Sequence, residues 1–225
     1  MNLALFDLDH TLIPIDSDYE WGQFMCRIGA VNAATFEARN KEFFAQYQAG
    51  TMDPVAYLEF ALGHLARFKR SQLDEMHKQF MDEVIKPTIL PEAHALLQKH
   101  RDAGDLVAIV TATNRFVTAP IAQALGVEHL IAAEPEENAE GELTGHLKGV
   151  PTSGHGKVVH THAWLAGMDK TLNSFPQTWF YSDSHNDIPL LSVVTHPVAT
   201  NPNSTLTTHA QAKGWPIIKL FNDHQ

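Results

Sequence analysis

Short apolar runs separated by longer helical stretches constrain the fold of this chain more than any other feature. Each run is too short for a typical helix, and several contain β-branched residues, as expected of strands that are buried on both faces. Runs of this kind that alternate with helical segments predict an α/β fold, a doubly wound parallel sheet covered by helices on both sides. The predicted strands are Leu3–Phe6, Leu106–Val110, His129–Ala133, Trp179–Tyr181, Pro197–Ala199 and Ile217–Leu220.

Residues 16–86 interrupt this alternation, because they contain no strand-like run and their apolar residues recur at helical spacing. Asp53-Pro54 is a good helix start within this segment, with a capping acceptor followed by a residue that has no amide hydrogen. We therefore predict a helical-bundle cap domain over 16–86, inserted after the first strand of a core domain formed by 1–15 and 87–225. A short β-arm is expected near residues 142–147.

Composition narrows the classes of function. The 225 residues are 44% hydrophobic and 19% charged, which is typical of a globular protein with a proper core. The formal net charge is −10, so nucleic acid and anionic membranes are unfavourable partners. Cys26 is the single cysteine, and no apolar run approaches the ~20 residues of a membrane span. The first predicted strand begins at Leu3, so no leader segment is expected. These features predict a cytoplasmic protein, and nothing in them predicts an oligomeric state.

Two carboxylates follow the first predicted strand, at Asp7 and Asp9. Side chains two residues apart in an extended chain point the same way, so both are expected at the carboxyl end of the strand, where open α/β sheets bind ligands. A carboxylate is already ionised at neutral pH and can attack phosphorus without a general base. A shared divalent cation would offset its repulsion from a phosphate group, and hard oxygen ligands favour Mg²⁺.

Three further places in the sequence carry polar groups suited to phosphate. Thr111 follows the second predicted strand, where its hydroxyl could donate to a phosphate oxygen or simply end the strand. Lys157 stands at a helix start, where a cation opposes the helix dipole and so indicates an anionic partner. Asp183, Asn186 and Asp187 follow the strand at Trp179–Tyr181.

Taken in order, these residues resemble the four motifs of the haloacid dehalogenase superfamily of phosphohydrolases. Asp7-x-Asp9-x-Thr11 is similar to the first motif and Val110-Thr111 to the second, while Lys157 and Asp183-x-x-Asn186-Asp187 are similar to the third and fourth. The resemblance covers nearly the whole chain, because the helical insert lies where the phosphoserine-phosphatase-like branch carries its cap. It implies Mg²⁺-dependent removal of phosphate from a small metabolite through an aspartyl-phosphate intermediate.

The resemblance also implies roles for individual residues. Asp7 would be the nucleophile, and Asp9 the acid that protonates the leaving oxygen and then the base that activates water. Mg²⁺ would be bound by Asp7, Asp9 and Asp183, with Asp187 bracing this shell. The residues expected to hold phosphate are Thr11, Thr111, Lys157 and Asn186.

The chain departs from phosphoserine phosphatases in two places. A glycine pair usually follows their second-motif serine, whereas this chain has Thr111-Ala112-Thr113, and they place a glutamate where this chain has Asp16. Asp16, Asp18 and Glu20 are candidates for substrate contact, or they simply favour the start of the first insert helix. They favour a substrate such as histidinol phosphate, phosphoserine or another amino-alcohol phosphate.

Two other functions stay open on the sequence alone. A phosphotransferase would pass the phosphoryl group to an acceptor alcohol instead of water. A catalytically silent binding module on the same fold would be marked by loss of Asp7 or Asp9, and both are present. The histidines in residues 155–162 do not have the spacing of a transition-metal site on one helix face, and no role is predicted for them.

Overall fold

The structure is a computed structural model, and it describes residues 1–48 and 51–221. In chain order its strands are β1 (Leu3–Phe6), β2 (Leu106–Asn114), β3 (His129–Ala133), β4 (Pro135–Glu137), β5 (Leu143–Leu147), β6 (Thr178–Ser182), β7 (His196–Thr200) and β8 (Ile217–Ile218). Within the described ranges, six of them form one parallel sheet in the order β3–β2–β1–β6–β7–β8. The predicted strands are thus confirmed, although β2 extends to Asn114 and β8 stops at Ile218.

Helices cover both faces of the sheet. They are α1 (Ser17–Arg27), α2 (Ala33–Gln48), α3 (Pro54–Leu65), α4 (Arg70–Phe80), α5 (Pro91–Asp102), α6 (Arg115–Ala124), α7 (His155–Ala166), α8 (Ile188–Leu191) and α9 (Ser204–Lys213). Ala4 and Phe6 of β1 face an apolar core shared with α5 and α6, whereas Leu3 and Leu5 face a second core shared with α7, α8 and α9. No helix in the described part of the chain is both long and apolar enough to cross a bilayer. The doubly wound α/β architecture is confirmed.

The insert between β1 and β2 contains α1–α4 within the described residues. The side chain of Asp53 accepts hydrogen bonds from the first turn of α3 and Pro54 is its first residue, so the predicted helix start is confirmed. After α4 the chain continues through a π-helical turn at Met81–Ile85 and a 3-10 turn at Lys86–Thr88 before α5 begins.

The insert packs directly against α6 and shares an apolar core with the sheet. The ring of Trp21 in α1 lies 5.2 Å from the ring of Phe80 in α4 and 5.5 Å from the ring of Phe116 in α6. One continuous apolar core joins these residues to Phe6 of β1. The division into a core of 1–15 and 87–225 and a cap of 16–86 stays a prediction.

An antiparallel arm formed by β4 and β5 lies against the insert. Gly145 in β5 has a positive φ of 86°, and a Cβ there would lie 3.1 Å from the Cβ of Ala66, just after α3. Arg70 at the start of α4 also pairs with Glu137 of β4 at 2.8 Å. The β-arm expected near residues 142–147 is confirmed, and the arm fixes one side of the insert to the core.

Candidate active site

The carboxyl ends of β2, β1 and β6 lie side by side in the sheet. Asp7 follows β1, Thr111 lies in the last half of β2, and Asp183 follows β6. All three border a cavity of about 960 Å³, whose other walls come from α1, α2, α3 and the start of α7. The sheet topology thus brings together residues that are separated by more than 170 positions in the sequence.

A buried ion-pair network forms the floor of this cavity. Nζ of Lys157 in α7 donates to Oδ1 of Asp7 at 2.8 Å and to Oδ2 of Asp187 at 2.7 Å, and Oγ of Ser182 donates to the same Asp187 oxygen at 2.6 Å. Burial by itself would lower the pKa of Lys157, but the charges of Asp187 and Asp7 outweigh it and raise that pKa. Burial raises the pKa of Asp187 to about 6, against the opposing effect of the ammonium group. Lys157 is therefore a fixed, charged donor at the cavity floor.

The Asp9 carboxylate is held by two donors. Oδ1 accepts the backbone N–H of Ser17 at 2.7 Å, and Oδ2 accepts the hydroxyl of Thr113 at 2.8 Å. Burial, and then the charge of Asp16, raise the pKa of Asp9 to about 6. Thr113 was not among the predicted site residues; the signal that could have found it is its position two residues after Thr111 in β2.

Thr11 does not lie where the phosphate-binding prediction put it. Its side chain is fully buried, and its hydroxyl accepts the backbone N–H of Asp183 at 3.1 Å and donates to Oδ1 of Asp183 at 3.4 Å. The prediction came from the family resemblance, which does not give the local backbone conformation. His10 has a positive φ of 56°, and the amides of residues 11–13 all donate to the carbonyl of Leu8. Because the chain reverses here, Thr11 points away from the cavity and anchors the loop that carries Asp183.

The three acidic residues at the start of α1 all border the cavity, but they have different surroundings. The side chain of Asp16 caps α1 by accepting the first two free amides of the helix. Asp18 is buried, and its carboxylate accepts the hydroxyl of Tyr57 at 2.7 Å and the side-chain amide of Asn114 at 3.2 Å. Burial, and then the charge of Asp16, raise the pKa of Asp18 to about 7. Glu20 is half-buried at the cavity wall.

The donor atoms at the cavity floor fit a hard divalent cation. Burial, and then the charges of Asp7 and Asp187, raise the pKa of Asp183 well above its ordinary value, as expected of acids crowded together. Across residues 1–48 and 51–221, no three His, Cys, Asp or Glu side chains surround one metal position. A cation held here would take further ligands from backbone oxygen and water, as Mg²⁺ does. Asn186 is exposed at the edge of the same cavity.

The histidines of residues 155–162 lie apart from this chemistry. His155 and His162 are exposed on α7, and a ring nitrogen of His160 is 2.9 Å from the carbonyl oxygen of Val150. This contact joins α7 to the loop that precedes it. A structural role for His160 follows.

The family model of haloacid dehalogenase-like hydrolases matches residues 4–192 of this chain. The chain belongs to this family. A protein named histidinol-phosphatase from Neisseria meningitidis serogroup C (strain 8013) is 43% identical to it over 219 residues, which are 97% of this chain and 99% of that protein. This haloacid dehalogenase-like hydrolase is a phosphatase, as the four motifs predicted.

Solved structures agree on the fold. A protein of unknown function from Bordetella pertussis Tohama I is 48% identical, with a TM-score of 0.93 over 97% of this chain and 98% of that one. A substrate-bound phosphoserine phosphatase is 19% identical, with a TM-score of 0.64 over 96% of this chain and 92% of that one. At that identity the likeness concerns the fold alone.

Proposed function

We propose that this phosphatase hydrolyses a phosphomonoester of a small amino alcohol through an aspartyl-phosphate intermediate. The observation that carries the proposal is the meeting of Asp7, Asp9, Thr111 and Lys157 at one cavity floor, with Lys157 Nζ 2.8 Å from the Asp7 carboxylate. Phosphoryl transfer requires a nucleophile, a positive charge near the phosphate oxygens and a proton donor for the leaving group. The Asp7 carboxylate, Lys157 and the Asp9 carboxyl group can supply these three functions.

Asp7 attacks phosphorus, the bond from phosphorus to the alcohol oxygen breaks, and Asp9 gives its proton to the leaving oxygen. Water then attacks the phosphorus of the acyl phosphate and loses a proton to Asp9. The bond from phosphorus to Asp7 breaks, which releases inorganic phosphate and restores both carboxyl groups. The two hydrogen bonds to Asp9, from Ser17 and Thr113, hold its carboxyl group in one orientation for both steps.

The phosphoryl group is held during these steps by Thr111, Lys157 and Asn186, which border the cavity beside Asp7. The carboxylates of Asp7 and Asp183 and the backbone carbonyl of Asp9 would hold Mg²⁺. The ion supplies positive charge that offsets repulsion between the nucleophile and the phosphate oxygens. Asp187 positions Lys157 rather than the phosphate, since its carboxylate is engaged with Nζ at 2.7 Å.

Histidinol phosphate is the first candidate substrate, because a relative that covers nearly the whole chain is named histidinol-phosphatase. Phosphoserine is the second. The cavity supports an amino-alcohol phosphate in particular, because Asp16, Asp18 and Glu20 all border it and would attract a substrate cation. We also propose that residues 16–86 act as a cap over this cavity and exclude water while Asp7 is being phosphorylated.

The test is a panel of phosphorylated metabolites assayed with and without Mg²⁺. We expect hydrolysis of histidinol phosphate that stops on chelation and returns with added Mg²⁺, whereas Ca²⁺ should support it poorly because its looser shell misplaces the nucleophile. Full activity in a metal-free preparation would contradict the mechanism. Added alcohols should not divert the phosphoryl group; transfer to them would identify a phosphotransferase.

Thr113 should matter for turnover rather than for substrate binding. Thr113→Val removes the donor to Asp9 while keeping the shape of the side chain, so we expect kcat to fall about 10–100-fold with KM changed less than threefold. Thr113→Ser should keep most of the activity because it keeps the hydroxyl. Thr208→Val, on the exposed side of α9, is the control and should retain the parent kcat. A kcat of Thr113→Val within twofold of the parent kcat would exclude a positioning role for Thr113.

A further inference from the structure

The cavity is larger than phosphate and a metal ion require, and its upper wall differs in chemistry from its floor. Its volume of about 960 Å³ lies at the upper end of what pockets for drug-sized ligands occupy. The helices α2 and α3 contribute an apolar surface to this wall, which includes Phe43, Phe44 and Leu58. Phe44 is 60% exposed, so its ring is accessible at the cavity. The wall can therefore receive a flat, partly apolar group.

Asp18 is the acid on this wall with a fixed direction. Its side chain is held by donors from two other elements, Tyr57 of α3 and Asn114 at the end of β2. Each of its oxygens accepts one of these hydrogen bonds, and a carboxylate has about four acceptor positions in all, so capacity remains for a ligand. Its side chain is only 8% exposed and is shielded from bulk water. A charge pair formed there is much stronger than one at the protein surface.

The other charges on the wall disfavour a substrate that carries a carboxylate. Asp16 is engaged with the amides of α1, and Glu37 is an exposed acid on the same wall. The lysines that border the cavity are Lys41, exposed at the mouth, and Lys157, already paired with two carboxylates at the floor. Within the described residues, no free buried cation borders the cavity to balance the negative charge that a substrate carboxylate beside Asp18 would meet.

Resting on the proposed function, we propose that Asp18, oriented by Tyr57 and Asn114, is the specificity-determining residue that binds the substrate's ammonium group. The same wall rejects a carboxylate on the amine-bearing carbon and accepts a planar ring at that position. The site thereby distinguishes histidinol phosphate from phosphoserine, although both are amino-alcohol phosphates.

Three esters isolate these effects, because they share one amino-alcohol phosphate skeleton. Phosphoethanolamine is the skeleton alone, phosphoserine adds a carboxylate to the amine-bearing carbon, and histidinol phosphate adds an imidazolylmethyl group to the same carbon. For the parent protein we expect kcat/KM to be highest for histidinol phosphate and at least about tenfold lower for phosphoserine than for phosphoethanolamine. An equal or higher value for phosphoserine would overturn the carboxylate rejection.

Asp18→Asn tests the residue itself. The ratio of kcat/KM for histidinol phosphate to kcat/KM for p-nitrophenyl phosphate, which has no cation, should fall about tenfold or more, mainly through KM. In the same variant, kcat/KM for phosphoserine should come closer to kcat/KM for phosphoethanolamine than it does in the parent protein. Tyr57→Phe removes only the orienting hydroxyl, and it should shift the ratio in the same direction by about threefold. An unchanged ratio in Asp18→Asn, or a large shift caused instead by Asp16→Asn or Glu20→Gln, would overturn the assignment.

The variant should fold. At pH 8 the Asp18 carboxylate is ionised at a cost in stability, because burial and the charge of Asp16 raise its pKa to about 7. An amide removes that cost, and the Tyr57 hydroxyl can rotate to accept from it, so the thermal midpoint at pH 8 should equal or exceed that of the parent. Asp169→Asn is the matched control, and its ratio should stay within twofold because Asp169 is exposed and does not border the cavity.

These outcomes separate the two proposals. If the parent protein hydrolyses none of the four esters with Mg²⁺, the proposed function fails, and this inference fails with it. If the parent hydrolyses p-nitrophenyl phosphate and histidinol phosphate, but Asp18→Asn lowers kcat/KM for both by the same factor, the proposed function stands. Asp18 is then a structural residue, and this inference alone is overturned.

Discussion

Asp7→Asn should lower kcat at least about 10³-fold, the scale seen when a catalytic nucleophile is removed. The amide has nearly the same shape as the carboxylate, but it is not a nucleophile toward phosphorus at neutral pH. The protein should stay folded, because Lys157 keeps its second partner, Asp187, at 2.7 Å. Burial is the main cause that raises the pKa of Asp183, and loss of the Asp7 charge removes the next one. Steady-state assays with p-nitrophenyl phosphate and thermal unfolding measure the two effects.

The matched control is Asp169→Asn, an exposed residue with a positive φ of 55°, a conformation that asparagine adopts readily. It makes the same chemical change away from the site and should leave kcat within twofold of the parent. If Asp7→Asn also stays within tenfold at unchanged thermal stability, Asp7 is not the nucleophile. A large loss of stability would show that the charge of Asp7 is structural.

The architecture could be predicted because each strand of a doubly wound sheet is buried on both faces. This burial forces an apolar run at Leu3–Phe6 and at the other strands, and that pattern is visible without tertiary contacts. The residues at which the strands end were harder to predict. The predicted second strand ended before residues 111–114, three of which are polar, whereas β2 continues through them to Asn114. They continue the strand beside the site, where the side chains of Thr113 and Asn114 donate to Asp9 and Asp18.

The sequence could predict where each motif of the site lies, but not how the motifs contact one another. The positions after β1, β2 and β6 follow from the rule that parallel strands end at one edge. The contacts between motifs do not follow from sequence: the hydroxyl of Thr113 reaches Asp9 across 104 positions of the chain. Thr11 was misplaced because the motif resemblance does not reveal the local chain reversal at His10, after which the Thr11 hydroxyl contacts Asp183.

Lys157→Met should destabilise the protein by about 3–5 kcal/mol at pH 8, because it leaves two buried carboxylates without their cation. The loss should shrink as the pH falls. Burial raises the pKa of Asp187 to about 6 even against the ammonium group of Lys157, and removing that group raises the pKa further, so this carboxylate takes up a proton in the folded variant as the pH falls and the uncompensated charge disappears. Urea unfolding at pH 8 and pH 5.5 measures both values.

The double variant Lys157→Met/Asp187→Asn separates stability from catalysis. Removing the Asp187 charge should recover a large part of the lost stability, because only Asp7 then lacks the ammonium group that Lys157 supplied. Activity should not recover, since a neutral side chain at 157 cannot attract the phosphoryl oxygens. Lys99→Met, at an exposed position of α5, should change stability by less than about 0.5 kcal/mol. Recovery of both stability and activity in the double variant would mean that Lys157 serves only to neutralise Asp187.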